Sequence, residues 1–375
     1  MANENRKFWL IIIVVAFLIY FLGAARPIPR ETSLKAAWLS SLDSGNMVFL
    51  DASVTPAEAA LGGSQIDARN AIPFVLGEHF GYVDLNGSFA INRITRGKLS
   101  LSAEKWAEYD AVPSALEIRN KRDEIIEKIE NPRGYPVFMD GRTFILGSEQ
   151  NALSETDGMG AVRWTHEFSA PLTCADAAAG FVVAGSIDGA VAVLGPDGTQ
   201  VFGFEPGGSR YSVILGCAFS RDAARFALIC GIDKQRFLLF ERFGASSSEY
   251  KIIYHEFIGE GFRRPVHISF IDRDRRVVFE RDGGLGIYEI NSRRGHSIPL
   301  EGEAAAIDDF GEDGILFAVV SLPLSETNKL IGINLPDKIF INAPFKSSDV
   351  FLGHSGSRLF IGGASTLSSF ELEKQ

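Results

Sequence analysis

Histidines are the first side chains to consider for metal binding or proton transfer. The sequence contains six, at positions 79, 166, 255, 267, 296 and 354. They are scattered singly, without the HxH or HExxH spacing that puts two imidazoles on one zinc ion. No local zinc site is therefore predicted.

Two further segments have residue types that suit chemistry. Gly353 to Ser357 reads GHSGS. It differs at one position, Ser357 in place of the final glycine, from the G-x-S-x-G turn that exposes a nucleophilic serine between a strand and a helix. The acidic run from Asp308 to Gly314 has the oxygen ligands that Ca²⁺ prefers, but such runs are also ordinary solvated turns. Asp272 and Asp274 stand among arginines, whose charges oppose cation binding. We assign no catalytic, metal-binding or cofactor-binding residue, and we expect a protein that is not an enzyme and has no cofactor.

One basic and aromatic segment is typical of an interaction surface. Phe262, Arg263 and Arg264 follow one another, and Arg293 and Arg294 come one hairpin later. Arginine and aromatic residues are enriched at protein interfaces. These five residues are the candidate protein-interaction loop, and an acidic peptide is the partner chemistry that they suggest.

Composition limits the function classes further. The chain has 375 residues, of which 46% are hydrophobic, and a net charge of -10. The hydrophobic content predicts a folded core rather than disorder. The negative charge would repel phosphate backbones, so nucleic acid is not an expected partner.

The N-terminus predicts attachment to a membrane. Phe8–Ala25 contains no charged residue, and eighteen residues of helix span roughly 27 Å, near the thickness of a hydrocarbon core. We therefore expect a cytoplasmic start at residues 1–7 and a single-pass signal anchor at 8–25. Small residues at Gly23–Ala25 leave cleavage of this segment open.

The next segment, residues 26–45, is interpreted as a linker. Leu34, Trp38, Leu39 and Leu42 have helical spacing. They predict a short helix that lies either on the membrane interface or against the folded domain.

Residues 46–375 consist of short apolar runs separated by turns. The turns are Asx-Gly pairs, which favour the positive φ values of tight hairpins: Asn86-Gly87, Asp140-Gly141, Asp157-Gly158, Asp188-Gly189, Asp197-Gly198, Asp282-Gly283 and Asp313-Gly314. Similar hairpins begin at Ala115, Ala152 and Ala190, 37 and 38 residues apart. A strand-based period near 40 indicates a β-propeller. Lys121–Glu130 has a helical pattern on its own, but its alignment with the other hairpins favours a turn and a strand.

Weaker copies of the hairpin complete the count. They begin at Arg236, Leu285, Lys329 and Leu367. We therefore predict an all-β fold of seven four-stranded antiparallel blades, with six or eight as alternatives. Met47–Asp51 is expected to supply the outer strand that the last blade lacks and so close the ring.

Two repeats resemble known propeller families. Gly160–Trp164, followed by Gly180–Leu194, resembles the repeat of PQQ-like propellers, and Cys217–Gly231 is similar to the repeat of WD-type and TolB-type propellers. The resemblance implies that Trp164 packs between blades. It also implies carboxylates inside the ring of a quinone-dependent enzyme, and we find no such cluster. Three widely spaced cysteines, Cys174, Cys217 and Cys230, are interpreted as small buried apolar residues.

The sequence thus predicts a scaffold of the bacterial cell envelope. The propeller would lie on the periplasmic side of the cytoplasmic membrane and bind an envelope protein, without catalysis. The alternatives are an enzyme in the central channel, either quinone-dependent or hydrolytic, and a sensor of sugar or peptidoglycan. Oligomeric state, partner identity and channel ligands stay open.

Overall fold

The structure, a computed structural model, describes residues 13–15, 17, 20, 32–50, 70–111, 113–244, 249–259, 261–311 and 314–374. Ala36–Glu371 form one compact unit, and Met1–Lys35 with Leu372–Gln375 form another. Residues 13–15, 17 and 20 are helical. No helix among the described residues is long and apolar enough to cross a membrane. The fold is therefore not the one predicted with a spanning helix, although most of Phe8–Ala25 lies outside the described residues.

The strands form eight antiparallel sheets, each of which is one blade of a propeller. Blade 1 has three strands: β3 (Ile72–Leu76), β4 (His79–Val83) and β5 (Phe89–Ile94). Blade 2 contains β6 (Lys98–Leu101), β7 (Lys105–Tyr109), β8 (Ala115–Asn120) and β9 (Ile125–Glu130). Blade 3 contains β10 (Gly134–Met139), β11 (Arg142–Gly147), β12 (Ala152–Thr156) and β13 (Val162–Glu167). Blade 4 contains β14 (Leu172–Ala178), β15 (Phe181–Ser186), β16 (Val191–Leu194) and β17 (Gln200–Phe204).

The second half of the ring repeats this plan. Blade 5 contains β18 (Ile214–Phe219), β19 (Arg225–Cys230), β20 (Gln235–Arg242) and β21 (Tyr250–Gly259). Blade 6 contains β22 (Ile268–Ile271), β23 (Arg276–Arg281), β24 (Gly284–Glu289) and β25 (Arg294–Pro299). Blade 7 contains β26 (Glu303–Asp309), β27 (Ile315–Ser321), β28 (Thr327–Asn334) and β29 (Lys338–Lys346). Blade 8 combines β30 (Val350–Ser355), β31 (Arg358–Gly363) and β32 (Thr366–Lys374) with β1 (Thr32–Ser41) and β2 (Met47–Phe49) from the start of the chain.

The count of seven blades is wrong, because the structure has eight. All seven hairpins that the repeat analysis counted belong to blades 2 to 8, and the missed unit is blade 1. Its Asn86-Gly87 turn is present in the sequence, but the sheet has only three strands among the described residues. The incomplete unit was therefore not recognised as a separate repeat.

Ring closure is confirmed, but by a different strand from the one predicted. In the sheet of blade 8, β1 lies next to β32, and β2 pairs only with the outer side of β1. The helix expected around Leu34 to Leu42 is wrong. Trp38 and Ser40 are buried on either side of exposed Leu39, and this alternation is the period of a strand. Residues 32–41 therefore belong to the sheet rather than to a linker.

The local turn predictions are confirmed. The glycines of all seven Asx-Gly pairs have positive φ. Residues 125–130 form strand β9, as the alignment of Lys121–Glu130 with the other hairpins predicted.

Apolar side chains fill the space between neighbouring blades. Between blades 4 and 5, Phe226 and Phe240 stack at 4.3 Å. Between blades 5 and 6, Phe237 and Phe279 stack at the same distance of 4.3 Å. Burial of such aromatic surface is the main favourable term that holds a ring of sheets together.

Trp164 packs between blades, as the resemblance implied. It is buried on strand β13 of blade 3 and contacts Gly198, in the turn before β17 of blade 4. Trp38 of blade 8 contacts Gly87 in the turn before β5 in the same way, and its Nε1 donates to the Leu85 carbonyl at 3.0 Å. Blade 1 therefore corresponds to the second, third and fourth strands of a complete blade.

The antiparallel order gives the ring two faces. The lower face has the turns between first and second strands and between third and fourth strands. The upper face has the turns between second and third strands and the connections from one blade to the next. The longest described connections, residues 205–213 and 261–267, both lie on the upper face between blades 4 and 6.

Candidate functional site

The connection from blade 5 to blade 6 contains three of the five predicted interaction residues. Its backbone is anchored at two points. The Gln235 side chain donates to the Phe262 carbonyl at 2.6 Å, and the Val266 N–H donates to the Leu215 carbonyl at 2.9 Å. Gln235 is fully buried, so the loop is held by a group that is itself fixed in the core. The conformation of the loop is therefore set before any partner arrives.

Arg264 is a structural residue of this loop. Its guanidinium donates to the Glu280 carboxylate at 2.9 and 3.2 Å and to Glu303 of blade 7 at 3.1 Å. Glu280 is buried and also accepts the His267 N–H at 2.6 Å. The hydrogen bond to Glu280 raises the pKa of Arg264. This arginine joins blades 6 and 7, and both of its Nη atoms donate hydrogen bonds.

Arg263 is the side chain that the loop leaves available. It is exposed, and among the described residues no carboxylate forms an ion pair with it. Phe262, one position earlier, is half-buried against the core between blades 5 and 6 and lies 4.9 Å from the Arg264 guanidinium. Both neighbours of Arg263 are thus held inward, so Arg263 projects from a fixed base.

Arg293 and Arg294 lie on the opposite face of the same blade. Arg293 is the last residue of the turn between β24 and β25, and Arg294 begins β25, where it pairs with Glu289 in the register. Glu280 pairs with Leu285 at the other end of β24. Since a strand rises about 3.4 Å per residue, roughly 17 Å of strand separates the two ends. The five predicted residues do not form one surface.

A buried ionic cluster that sequence reasoning missed lies on the lower face of blade 6. Asp272 has no exposed surface, and its carboxylate pairs with Arg275 and Arg276. Its N–H donates to Asp309 of blade 7 at 2.8 Å. Asp272, Arg273 and Asp274 all have positive φ, a conformation that is costly outside glycine. The contacts on both sides hold this turn in place. In the sequence, only the alternation of aspartate and arginine from Asp272 to Arg275 indicates it.

The residues considered for metal binding and hydrolysis have other roles. Asp309 accepts the Asp272 N–H, and Asp308 bonds to His354, while Glu312 and Asp313 lie outside the described residues. Within the described parts of the chain, no group of three or more His, Cys, Asp or Glu side chains is arranged to hold a metal ion. Ser355 pairs with Arg358 in a strand-to-strand hairpin, which is not the strand-to-helix turn of a nucleophilic serine.

His354 and Asp308 join the innermost strands of blades 8 and 7. The His354 Nδ1 lies 2.8 and 2.9 Å from the two carboxylate oxygens of Asp308, and the imidazole lies 4.9 Å from the ring of Phe310. The hydrogen bond to Asp308, aided by the charges of Asp308 and Asp309, raises the pKa of His354 although burial opposes the shift. The hydrogen bond between His354 and Asp308 is thus part of the contact between these blades.

This pair predicts a pH-dependent contribution to stability. Because the pKa of His354 is higher in the folded protein, the contribution is fully present below the unfolded value of about 6.5 and is lost as the pH rises through the folded value. In urea unfolding, we expect His354→Asn to cost more free energy at pH 5.5 than at pH 8.5. His255→Asn, on exposed β21, is the control. An equal cost of His354→Asn at both pH values would contradict the prediction.

The comparisons with known proteins agree with this architecture. A family model described as "beta-propeller protein" matches residues 1–375. The chain belongs to this family. Among curated proteins, this propeller is 29% identical over 308 residues to an uncharacterized protein of Treponema pallidum (strain Nichols). The alignment covers 82% of this chain and 79% of the relative.

Two solved structures share the fold at low sequence identity, and a third aligns with a lower TM-score. The computationally designed protein Ika8 aligns with a TM-score of 0.58 at 14% identity, over 82% of this propeller and 98% of the design. A chain of the mitotic checkpoint complex aligns with a TM-score of 0.52 at 11% identity, over 74% of this propeller and 90% of that chain. BamB from Moraxella catarrhalis aligns with a TM-score of 0.46 at 14% identity, over 73% of this propeller and 96% of BamB.

Proposed function

We propose that this propeller is a non-catalytic scaffold that binds an envelope protein through the loop at residues 261–266. The apolar sequence Phe8–Ala25 supports a location at the cytoplasmic membrane, with the propeller on the periplasmic side. Confinement to a membrane would raise the effective concentration of the scaffold near other envelope proteins. The partner is a protein that places an aspartate or glutamate against Arg263.

The observation that carries this proposal is the exposure of Arg263 between two anchored neighbours. Binding orders interface loops at a free-energy cost, and a loop that is already fixed by Gln235 and Glu280 avoids most of it. Arginine is also among the residues that dominate binding energy at interfaces. A single unpaired guanidinium on a rigid base is therefore a suitable anchor for a carboxylate.

Charge reversal tests the proposal on the full chain in its own cells. A membrane-impermeant cross-linker is added to spheroplasts that produce the wild type, Arg263→Glu or Arg294→Glu. Loss of a central interface arginine costs about 2 kcal/mol or more, so we expect at least a 10-fold loss of the partner cross-link for Arg263→Glu. The same charge change at Arg294, on the opposite face, is expected to leave the cross-link unchanged.

Two results would contradict the proposal. Equal cross-linking of Arg263→Glu and wild type would show that the loop is not the contact. Absence of cross-linked product from all three proteins in spheroplasts, with products only after lysis, would place the propeller on the other side of the membrane. Both substitutions are at exposed positions, so unchanged thermal unfolding confirms that the variants are folded.

A further inference from the structure

A groove of about 480 Å³ opens between blade 3 and blade 4. One wall is the end of strand β13 and the connection after it, residues 166–169, and the floor is the surface of β16 and β17. The turn between β15 and β16 borders its upper end, so the groove lies toward the upper face. Its volume is within the range of ligand sites in proteins.

One row of blade 4 contains only small residues, and two of them, Ala192 and Gly203, line the groove. Ala184, Ala192 and Gly203 pair across three neighbouring strands on the side that faces blade 3. The corresponding rows of two other blades have larger side chains: Leu228, Leu238 and His255 in blade 5, and Ala318, Ile331 and Asn342 in blade 7. Each of those rows contains at least two side chains larger than alanine, whereas the row in blade 4 contains none.

The rim combines unpaired carboxylates with aromatic rings. Glu167 and Glu205 line the groove from blades 3 and 4, and neither forms an ion pair with a described residue. The rings of His166 and Phe168 meet edge to face at 4.7 Å in the wall that blade 3 contributes. No lysine or arginine is among the described residues that line the groove. Its charge is therefore not balanced from within the protein.

We propose that this groove binds a lysine or arginine side chain from a basic segment of a partner protein. The two carboxylates match the charged head, aromatic rings attract cations through their faces, and the small residues Ala192 and Gly203 on the floor admit the aliphatic stem. The inference rests on the proposed scaffold function and extends it. The partner would place a basic segment in the groove and an acidic residue against Arg263.

The test uses a fluorescein-labelled peptide of alternating lysine and glycine, and the full chain in detergent at low salt. Fluorescence anisotropy measures its dissociation constant. Ala192→Leu fills the groove without a change of charge, and we expect it to raise this constant at least 10-fold. Gly203→Val provides a second way to fill the groove, because a side chain there meets only the end of the Gln200 side chain.

A charge-matched control separates the groove from the general attraction of an acidic protein. Glu167→Gln with Glu205→Gln is expected to weaken binding at least 10-fold. Asp110→Asn with Glu149→Gln removes the same two charges from exposed turns of blades 2 and 3 and is expected to change binding less than 2-fold. Thermal unfolding shows which variants are folded.

The possible results each decide the proposal. Reduced binding by the groove variants alone supports it. Equal binding by the wild type and the groove-filled variants, an equal effect of the two charge pairs, or no measurable binding by the wild type would overturn it. Arg263→Glu is expected to bind the peptide as the wild type does, so failure of the groove is distinguishable from failure of the loop at Arg263.

Discussion

Glu155→Ala is expected to lower the free energy of unfolding by about 3–5 kcal/mol, because it removes one partner from a buried ionic network. The Glu155 side chain is 2% exposed. It accepts hydrogen bonds from Arg142 Nη1 at 2.9 Å, Arg163 Nη1 at 2.8 Å and Trp164 Nε1 at 3.1 Å. Without it, the half-buried Arg142 guanidinium loses its hydrogen-bonded counter-ion and keeps, among the described residues, only Asp140 at 3.9 Å, and the buried indole N–H loses its acceptor.

The effect would extend beyond blade 3. Arg142 also donates to the Gly180 carbonyl at 3.2 Å and to the Phe181 carbonyl at 2.9 Å, both in blade 4. Glu155 thus orients the side chain that ties the two blades together on the lower face. A loss of this size is a large part of the stability of an ordinary domain.

Urea unfolding measures the difference, with two variants for comparison. Arg163 is 53% exposed, so Arg163→Ala is expected to cost no more than about 1 kcal/mol. Glu155→Gln keeps the shape and one acceptor, and it should lie between the two. If Glu155→Ala unfolds within 1 kcal/mol of Arg163→Ala, the network does not have the role assigned to it. If Glu155→Ala does not fold, the cost of Glu155→Gln decides the question.

The Arg142 contact belongs to a pattern that recurs around the ring. A basic residue stands at the start of the second strand in five blades: Lys105, Arg142, Arg225, Arg276 and Arg358. Three of these side chains donate hydrogen bonds to the following blade. Lys105 donates to Thr143, Arg142 to the Gly180 and Phe181 carbonyls, and Arg358 to the Leu85 carbonyl. The other two pair with Glu241 and Glu289 in their own blades. Basic side chains at one register position thus supplement the apolar packing between blades.

Local features of the fold could be predicted from the sequence because they depend on neighbouring residues. Each Asx-Gly turn and the strands beside it are encoded within about ten positions, and their spacing revealed the ring. Strand β1 could not be predicted in this way. Its four apolar residues fit a helix as well as a strand, and the choice is made by Trp38, which packs on Phe360 and bonds to Leu85. Those partners are far away in the sequence.

The candidate sites were harder to predict for the same reason. His354 and Asp308 are 46 positions apart, and their contact follows from the register of two innermost strands. The groove depends on which side of blade 4 faces blade 3, and no short sequence motif predicts which side that is. Arg263 and Arg293 are both basic residues of the predicted interaction loop, but three strands, β22 to β24, lie between them and place them on opposite faces.

Gly198→Ala is expected to cost about 3 kcal/mol, far more than the same change at Gly158. Both glycines follow an aspartate in the turn before the last strand of a blade, with φ of 78° and 80° respectively. The backbone cost of an L-residue in this conformation, about 1–2 kcal/mol, is therefore shared. A Cβ on Gly158 meets nothing within 4 Å, whereas one on Gly198 would lie 2.4 Å from the Trp164 ring. Overpacking of this kind adds about 1–3 kcal/mol.

A double-mutant cycle identifies Trp164 as the cause. Urea unfolding is measured for Gly198→Ala and Gly158→Ala in the wild-type background and with Trp164→Ala, which removes the ring and the Cγ atom that lies 2.6 Å from the Cβ position of Gly198. In the Trp164→Ala background, we expect the cost of Gly198→Ala to fall to that of Gly158→Ala, because the clash no longer exists. Equal costs at the two glycines in the wild-type background would show that Trp164 yields freely. In that case Trp164 would not be a rigid contact between blades 3 and 4, and the ring would not require a glycine at position 198.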